Sequence, residues 1–173
     1  MKTLLIAILA ASLGGPAAAA PAAAPAAAPA TEAAAEGIRR RVAVMDFADI
    51  LSPEAERRVE ARILAFEART RHQMAVVTVA NLHGSDVADF ARDAANNLAV
   101  GRAGDDDGVV ILVAPNERRA RIEVGRGLEA VLTDAVCAEI LARHMIPRFR
   151  ETDYEGGIEA GAAALIARLE APR

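Results

Sequence analysis

The stretch Asp105–Asp134, DDDGVVILVAPNERRARIEVGRGLEAVLTD, decides the fold. Its centre, Gly108–Ala114 (GVVILVA), is an unbroken apolar run of strand length. A strand without polar alternation is covered on both faces, as in a sheet held between two helical layers. Pro115-Asn116-Glu117-Arg118 carries turn chemistry. Ala120–Gly125 (ARIEVG) then alternates, with Ile122 and Val124 directed inward and Arg121 and Glu123 outward. That pattern predicts an antiparallel partner at or near the sheet edge. The hairpin folds Gly125-Arg126-Gly127 back beside Asp105-Asp106-Asp107, so one stretch supplies both the sheet centre and a candidate rim.

Upstream, Val42–Met45 is a short apolar run that ends at Asp46 and reads as a first strand. Ser52 is placed to cap a helix, Pro53 suits its first position, and Glu54 and Glu56 suit the positive end of its dipole. Val59, Ile63 and Phe66 form one stripe of that helix, which ends near Thr70. Met74–Ala80 (MAVVTVA) reads as a buried second strand. Ser85 is expected to cap a second helix with Asp86 in its first turn, and its apolar face is Val87, Phe90, Ala94 and Leu98. Downstream, Thr133 caps a third helix, with Asp134 in its first turn and Val136, Ile140 and His144 on one face. Pro147 is expected to end it. A final helix spans Tyr154–Leu169, with Gly157, Ala160, Gly161 and Ala164 permitting close approach. The order β-α-β-α-β-β-α-α predicts an α/β three-layer sandwich: a four-stranded mixed sheet with helices on both faces.

The 173 residues are expected to hold one folded domain behind an export signal. Lys2, the apolar run Leu4–Leu13 and the small residues through Ala20 read as a signal peptide over 1–20. The run is too short to span a bilayer, which takes about 20 apolar residues. Residues 21–38 form an Ala/Pro-rich linker in which recurrent proline blocks helix. The domain is expected over 39–170. No membrane anchor is expected after signal cleavage, which places the mature chain in the periplasm or outside the cell, as a monomer. The formal net charge of −4 and the absence of lysine beyond Lys2 argue against a nucleic-acid partner. Cys137 is the single cysteine, so no intramolecular disulfide is available, and its apolar helix face marks it as core.

Two groups of residues carry candidate chemistry. Asp105, Asp106 and Asp107 repel one another at neutral pH and require a positive partner. Either a hard divalent cation, Ca2+ or Mg2+, or the arginines Arg102 and Arg126 can supply it. The spacing is not that of an EF-hand loop. Asp46, at the end of another strand, is a further candidate ligand and the one candidate nucleophile. The second group is Gly125-Arg126-Gly127, a tight turn that exposes a guanidinium to a phosphate or another anion. His72, His83 and His144 lack metal-ligand spacing, and Ser52 and Ser85 are better explained as helix caps than as nucleophiles.

Several blocks together resemble the TPM domain. They are Val44–Asp46 followed by Leu51–Glu54 (LSPE), Gln73–Gly84 (QMAVVTVANLHG), Asp107–Asp134 and Ile146–Ile158 (IPRFRETDYEGGI). The resemblance spans about Arg41 to Leu169. The chain departs from the family at Leu98-Ala99-Val100-Gly101, where a Trp-Gly-Ile-Gly-like ending is common. The resemblance implies an α/β domain, divalent-metal binding in some members and acid phosphatase activity in some plant members. It puts forward Asp46, Asp106 or Asp107, and Asp134 as metal ligands beside Asp105. The expected function is a divalent-cation-binding envelope module that acts through a protein partner. The alternatives are a metal-assisted phosphomonoesterase and a structural assembly domain. Both metal readings require Asp46, Asp107 and Arg126 to converge on one rim.

Overall fold

Gly108–Ala114 forms β3, and all of its residues are buried. The structure, a computed structural model, describes residues 43–172. The expected signal peptide (1–20), the expected linker (21–38) and the expected start of the domain (39–42) lie outside the described residues. Around β3 stand β1 (Val44–Asp46), β2 (Gln73–Thr78) and β4 (Arg119–Val124). The order is β1-β2-β3-β4. The first three strands are parallel, and β4 returns antiparallel to β3 with Ile111 opposite Ile122. The mixed sheet expected from the alternation of Ala120–Gly125 is therefore present.

Strand alternation sends Val76, Ile111, Val113 and Ile122 to one face. There they meet α1 (Pro53–Thr70) through Val59, Ile63 and Phe66, and α5 (Tyr154–Glu170) through Ile158, Ala162 and Leu165. Ala75, Val77, Val110, Leu112 and Ala114 point to the other face, toward Ala91, Val87 and Phe90 of α2 (Val87–Asn97). The result is three layers. The parallel strands advance in one direction while α1 and α2 lie on opposite faces. The two crossovers therefore have opposite hands, and one departs from the usual right-handed connection.

Local chemistry sets the helix limits. The Ser52 side chain accepts the Ala55 N–H, and Pro53 occupies the first turn of α1, as the sequence predicts. For α2 the cap is Asp86 rather than Ser85. Its carboxylate accepts the N–H groups of Ala88 and Asp89, leaving Ser85 exposed in the preceding turn. Ala91 is the fully buried residue of this helix. Leu98, expected on its apolar face, lies just past its last turn and is exposed. The expected strand Val42–Met45 begins at Val44 and includes Asp46, with Val42 outside the described residues. The expected strand Met74–Ala80 shifts to Gln73–Thr78.

The third helix departs most from expectation. It starts as α3 (Asp134–Ile140) behind the Thr133 cap, widens into a π-helical turn at Leu141–Met145 and continues as α4 (Ile146–Arg150). Pro147 does not end it. The widened turn brings the Ile146 N–H to the Leu141 carbonyl and restarts the helix, so Pro147 falls in a first turn where its missing N–H costs nothing. His144 is exposed, and Met145 is the residue turned fully inward.

Met145 and Phe149 seat against glycines of α5. A Cβ at Gly161 would stand 2.5 Å from Met145 Sδ, and one at Gly157 would stand 2.3 Å from Phe149 Cε1 and 3.3 Å from the Met145 carbonyl. The small-residue face inferred for this helix is a real site of close approach. Gly157→Val is expected to destabilise the domain by about 2 kcal/mol, because a branched side chain must displace a ring and a backbone carbonyl. A urea midpoint unchanged from wild type would contradict this packing.

Candidate functional site

The hairpin brings the acidic loop and the arginine turn together, as the sequence predicts. Gly125 donates its N–H to Gly108 and Gly127 donates to the Asp106 carbonyl, at 2.8 and 3.0 Å. A Cβ at Gly125 would stand 2.0 Å from the Asp106 carbonyl oxygen, and one at Gly127 would stand 2.1 Å from that of Asp105. Only glycine allows this backbone contact. Asp106 itself adopts φ +46°, a left-handed conformation that aspartate tolerates better than most residues.

The three aspartates have different environments. Asp107 is 3% exposed, the one buried acidic residue among those described. Its carboxylate accepts the Arg102 backbone N–H at 2.8 Å and the Arg102 Nε and Nη2 at 2.9 and 2.7 Å. It also lies 3.2 Å from His72 Nδ1. A carboxylate only accepts, so that ring nitrogen carries the proton. Burial alone pushes the Asp107 carboxyl up. Hydrogen bonds from Arg102 and His72 and the Arg102 charge outweigh it, so the net shift is down from the ordinary 3.8. Asp105 and Asp106 are exposed, paired with Arg102 at 3.1 Å and Arg126 at 3.5 Å respectively. Arginine thus answers all three carboxylates.

Asp46 is elsewhere. It pairs in register with Thr78, which is level with Val113, six residues along β3 from Asp107. At about 3.3 Å per residue that separation is on the order of 20 Å. Asp46 belongs to the opposite end of the sheet, so Asp46, Asp107 and Arg126 do not share a rim. The reason is topological: parallel strands put the last residue of β1 and the residue before β3 at opposite ends. Asp46 lies in the crevice between β1 and β2, whose following helices diverge to the two faces. Such crevices hold ligands in many α/β domains. Here protein groups fill it: the Asp46 carboxylate accepts the Thr78 hydroxyl and, at 2.8 Å, the Leu51 N–H, while Thr78 Oγ1 accepts the Ala48 N–H.

Asp134 stands exposed in the first turn of α3, and no ion pair or hydrogen bond joins it to the acidic loop. The expected ligands Asp46, Asp105, Asp106, Asp107 and Asp134 therefore do not form one coordination sphere. Among the described residues no group of three or more His, Cys, Asp or Glu side chains is arranged to hold a metal ion. Cys137 is buried, as the sequence indicates. Burial and the nearby Asp134 charge push its thiol up to about 11, which removes the nucleophilic thiolate at neutral pH.

The structure adds what the sequence does not reveal. His72 joins the Asp107 cluster although 35 residues separate them. The available signal was positional: parallel pairing of Gln73 with Gly108 sets the residues before β2 and β3 side by side. An open groove of about 340 Å³ also lies between α2 and the arginine turn. Ala95, Val100, Val110 and Val124 give it an apolar lining, while Arg92, Asn96, Asp106, Glu123, Arg126 and Glu129 supply its polar groups. No helix among the described residues is long and apolar enough to cross a membrane.

Comparison with known proteins bears on the family. The model of the TPM domain matches residues 44–168. The solution structure of the N-terminal domain of a protein from P. gingivalis superposes with a TM-score of 0.71 at 30% identity, covering 79% of this chain and 85% of its own. The N-terminal domain of the cg2496 protein from Corynebacterium glutamicum gives 0.60 at 19% identity, with 76% and 84% covered. The BA42 protein from the psychrophilic bacterium Bizionia argentinensis gives 0.60 at 23% identity, with 69% and 81% covered. The last two likenesses show the fold alone. No curated protein matches the chain.

The Asp107 cluster generates a pH-dependent prediction. Its folded pKa lies below the unfolded value, so its contribution is present above about pH 3.8 and is lost as pH falls through the folded value. Asp107→Asn is expected to cost about 2–3 kcal/mol at neutral pH, because it removes the negative charge and replaces one acceptor oxygen by an amide NH2 that donates toward Arg102 and His72. The gap from wild type should close in acid. Urea unfolding at pH 7 and below pH 3.8 tests both points, and a pH-independent gap would show that the carboxylate charge is not the cause.

Proposed function

The chain belongs to the TPM-domain family, and from that premise we propose that it is an exported binding module acting through a partner polypeptide. The groove beside the arginine turn is the docking site, and it is the observation that carries this reading. Its volume falls within the usual range of ligand clefts, about 300–1,000 Å³. Its rim is preorganised by the glycine contacts that lock the turn onto the acidic loop. Export rests on the apolar run Leu4–Leu13 and the small residues that follow, which makes an envelope protein the natural partner. A metal-assisted phosphatase gains less support, since it needs Asp46 and the acidic loop on one ion. A photoreactive residue at position 96 is expected to join the chain to a polypeptide in envelope extracts. Ala95→Arg, which fills the groove, should abolish that product. Equal yield from a probe at position 57, on the exposed side of α1, would overturn this reading.

A divalent cation is the second reading, now restricted to Asp105 and Asp106. The favouring observation is that these adjacent side chains remain 55% and 54% exposed. Two carboxylates completed by water imply weak binding, with Kd of about 1 mM. Calorimetry with Ca2+ and Mg2+ is expected to show a site that Asp106→Asn removes. Heats equal to buffer dilution, or unaltered binding by that variant, would exclude it.

A further inference from the structure

We infer that the groove receives a basic side chain of its partner, a lysine or arginine whose alkyl stem lies on the apolar lining and whose charged head sits beside Asp106 and Glu129. This rests on the reading of the groove as a docking site and names the chemistry it selects. The charges do not balance: the groove contains the carboxylates of Asp106, Glu123 and Glu129 against the guanidinium groups of Arg92 and Arg126. Glu123 is already answered, by Arg121 at 3.3 Å and Arg92 at 3.7 Å. With Arg92 and Arg121 both engaged at Glu123, the other end holds Asp106 and Glu129 against Arg126 alone. Arg126 meets Asp106 there through one 3.5 Å contact, and Glu129 takes part in no ion pair among the described residues.

An anion approaching Arg126 meets these carboxylates, whereas a cation is attracted by them. The Arg126 side chain is 86% exposed, so it can move aside at little cost, while the Asp106 backbone is fixed by its contacts with Gly125 and Gly127. The apolar lining supplies the other half of the fit. Long basic side chains bury their methylene stems on apolar surface while the head remains solvated, and this geometry offers both environments together. A short acidic ligand lacks the stem, and an apolar one leaves the carboxylates without a partner.

The test is a titration of the isotopically labelled full chain with three capped tripeptides, acetyl-Ala-X-Ala-amide, where X is lysine, glutamate or norleucine. Backbone amide shifts at Ala95, Val100, Val110, Val124 and Gly125 report occupancy. The lysine peptide is expected to shift these signals, to weaken as salt is raised, and to lose about tenfold in affinity with Asp106→Asn and Glu129→Gln combined. Both positions are exposed, and asparagine tolerates the left-handed backbone at 106, so the variant should keep the wild-type fold and spectrum. Equal or stronger binding of the glutamate or norleucine peptide would overturn the choice of a basic side chain and leave the docking groove standing. Unchanged lysine binding by the variant would do the same. Absence of groove shifts with all three at about 10 mM, a ceiling for a specific contact, would overturn both.

Discussion

A carboxylate buried where a strand enters the sheet requires compensation, and the neutralisation of Asp107 organises one end of this molecule. Arg102 comes from the loop after α2 and His72 from the turn before β2. The Asp107 carbonyl also accepts the Gln73 N–H, while Gln73 Oε1 accepts the Gly101 N–H. The turn at His72-Gln73 is therefore fixed to the loop that runs from Gly101 to Asp107. Unpaired, that charge would cost several kcal/mol, so the loop has little freedom to adopt another path. The backbone of Asp106 is fixed with it, and with Asp106 the turn that carries Arg126.

This constraint turns charge into shape. The acidic loop is not a flexible string of ligands. One of its carboxylates is consumed by the interior, and the other two are left at the surface on a rigid backbone. The glycines at 125 and 127 allow the arginine turn to approach that backbone directly. Against this fixed edge α2 forms the other side of the groove. The burial of β3 on both faces requires helices in two layers, and α2 is the one that passes beneath the strand pair β3–β4. The core and the candidate docking site therefore share a cause.

The opposite end of the sheet serves a different purpose. In an open α/β domain, strands whose helices diverge to opposite faces leave a crevice at their carboxyl ends. Here the Thr78 hydroxyl donates to Asp46, and the two side chains accept the Ala48 and Leu51 N–H groups of the turn into α1. A residue that looks like a ligand in the sequence is a structural acceptor, because the nearest donors in space are the Leu51 N–H of its own loop and the Thr78 hydroxyl of β2. The two crossovers run on opposite hands, with α1 and α2 separated by the sheet. The parallel register, in turn, places the groove and the Asp46 crevice at opposite ends of the strands.

The sequence by itself determined the strand and helix order, the central position of Gly108–Ala114 and the antiparallel return of β4. It also determined the junction of the acidic loop with the arginine turn. Each follows from side-chain periodicity or from a short hairpin, and both act over a few residues. It determined the Ser52 and Thr133 caps for the same reason, but not the choice of Asp86 over Ser85, since either oxygen could reach a free N–H. Only the tertiary structure decided that Asp46 and Asp107 stand apart, that His72 joins Asp107 and that Pro147 sits inside a restarted helix. The register of parallel strands links residues about thirty positions apart, and the seating of Met145 against Gly161 belongs to packing between helices. The groove was invisible for the same reason. A concave surface arises between elements, and no local pattern of residues encodes the space they leave.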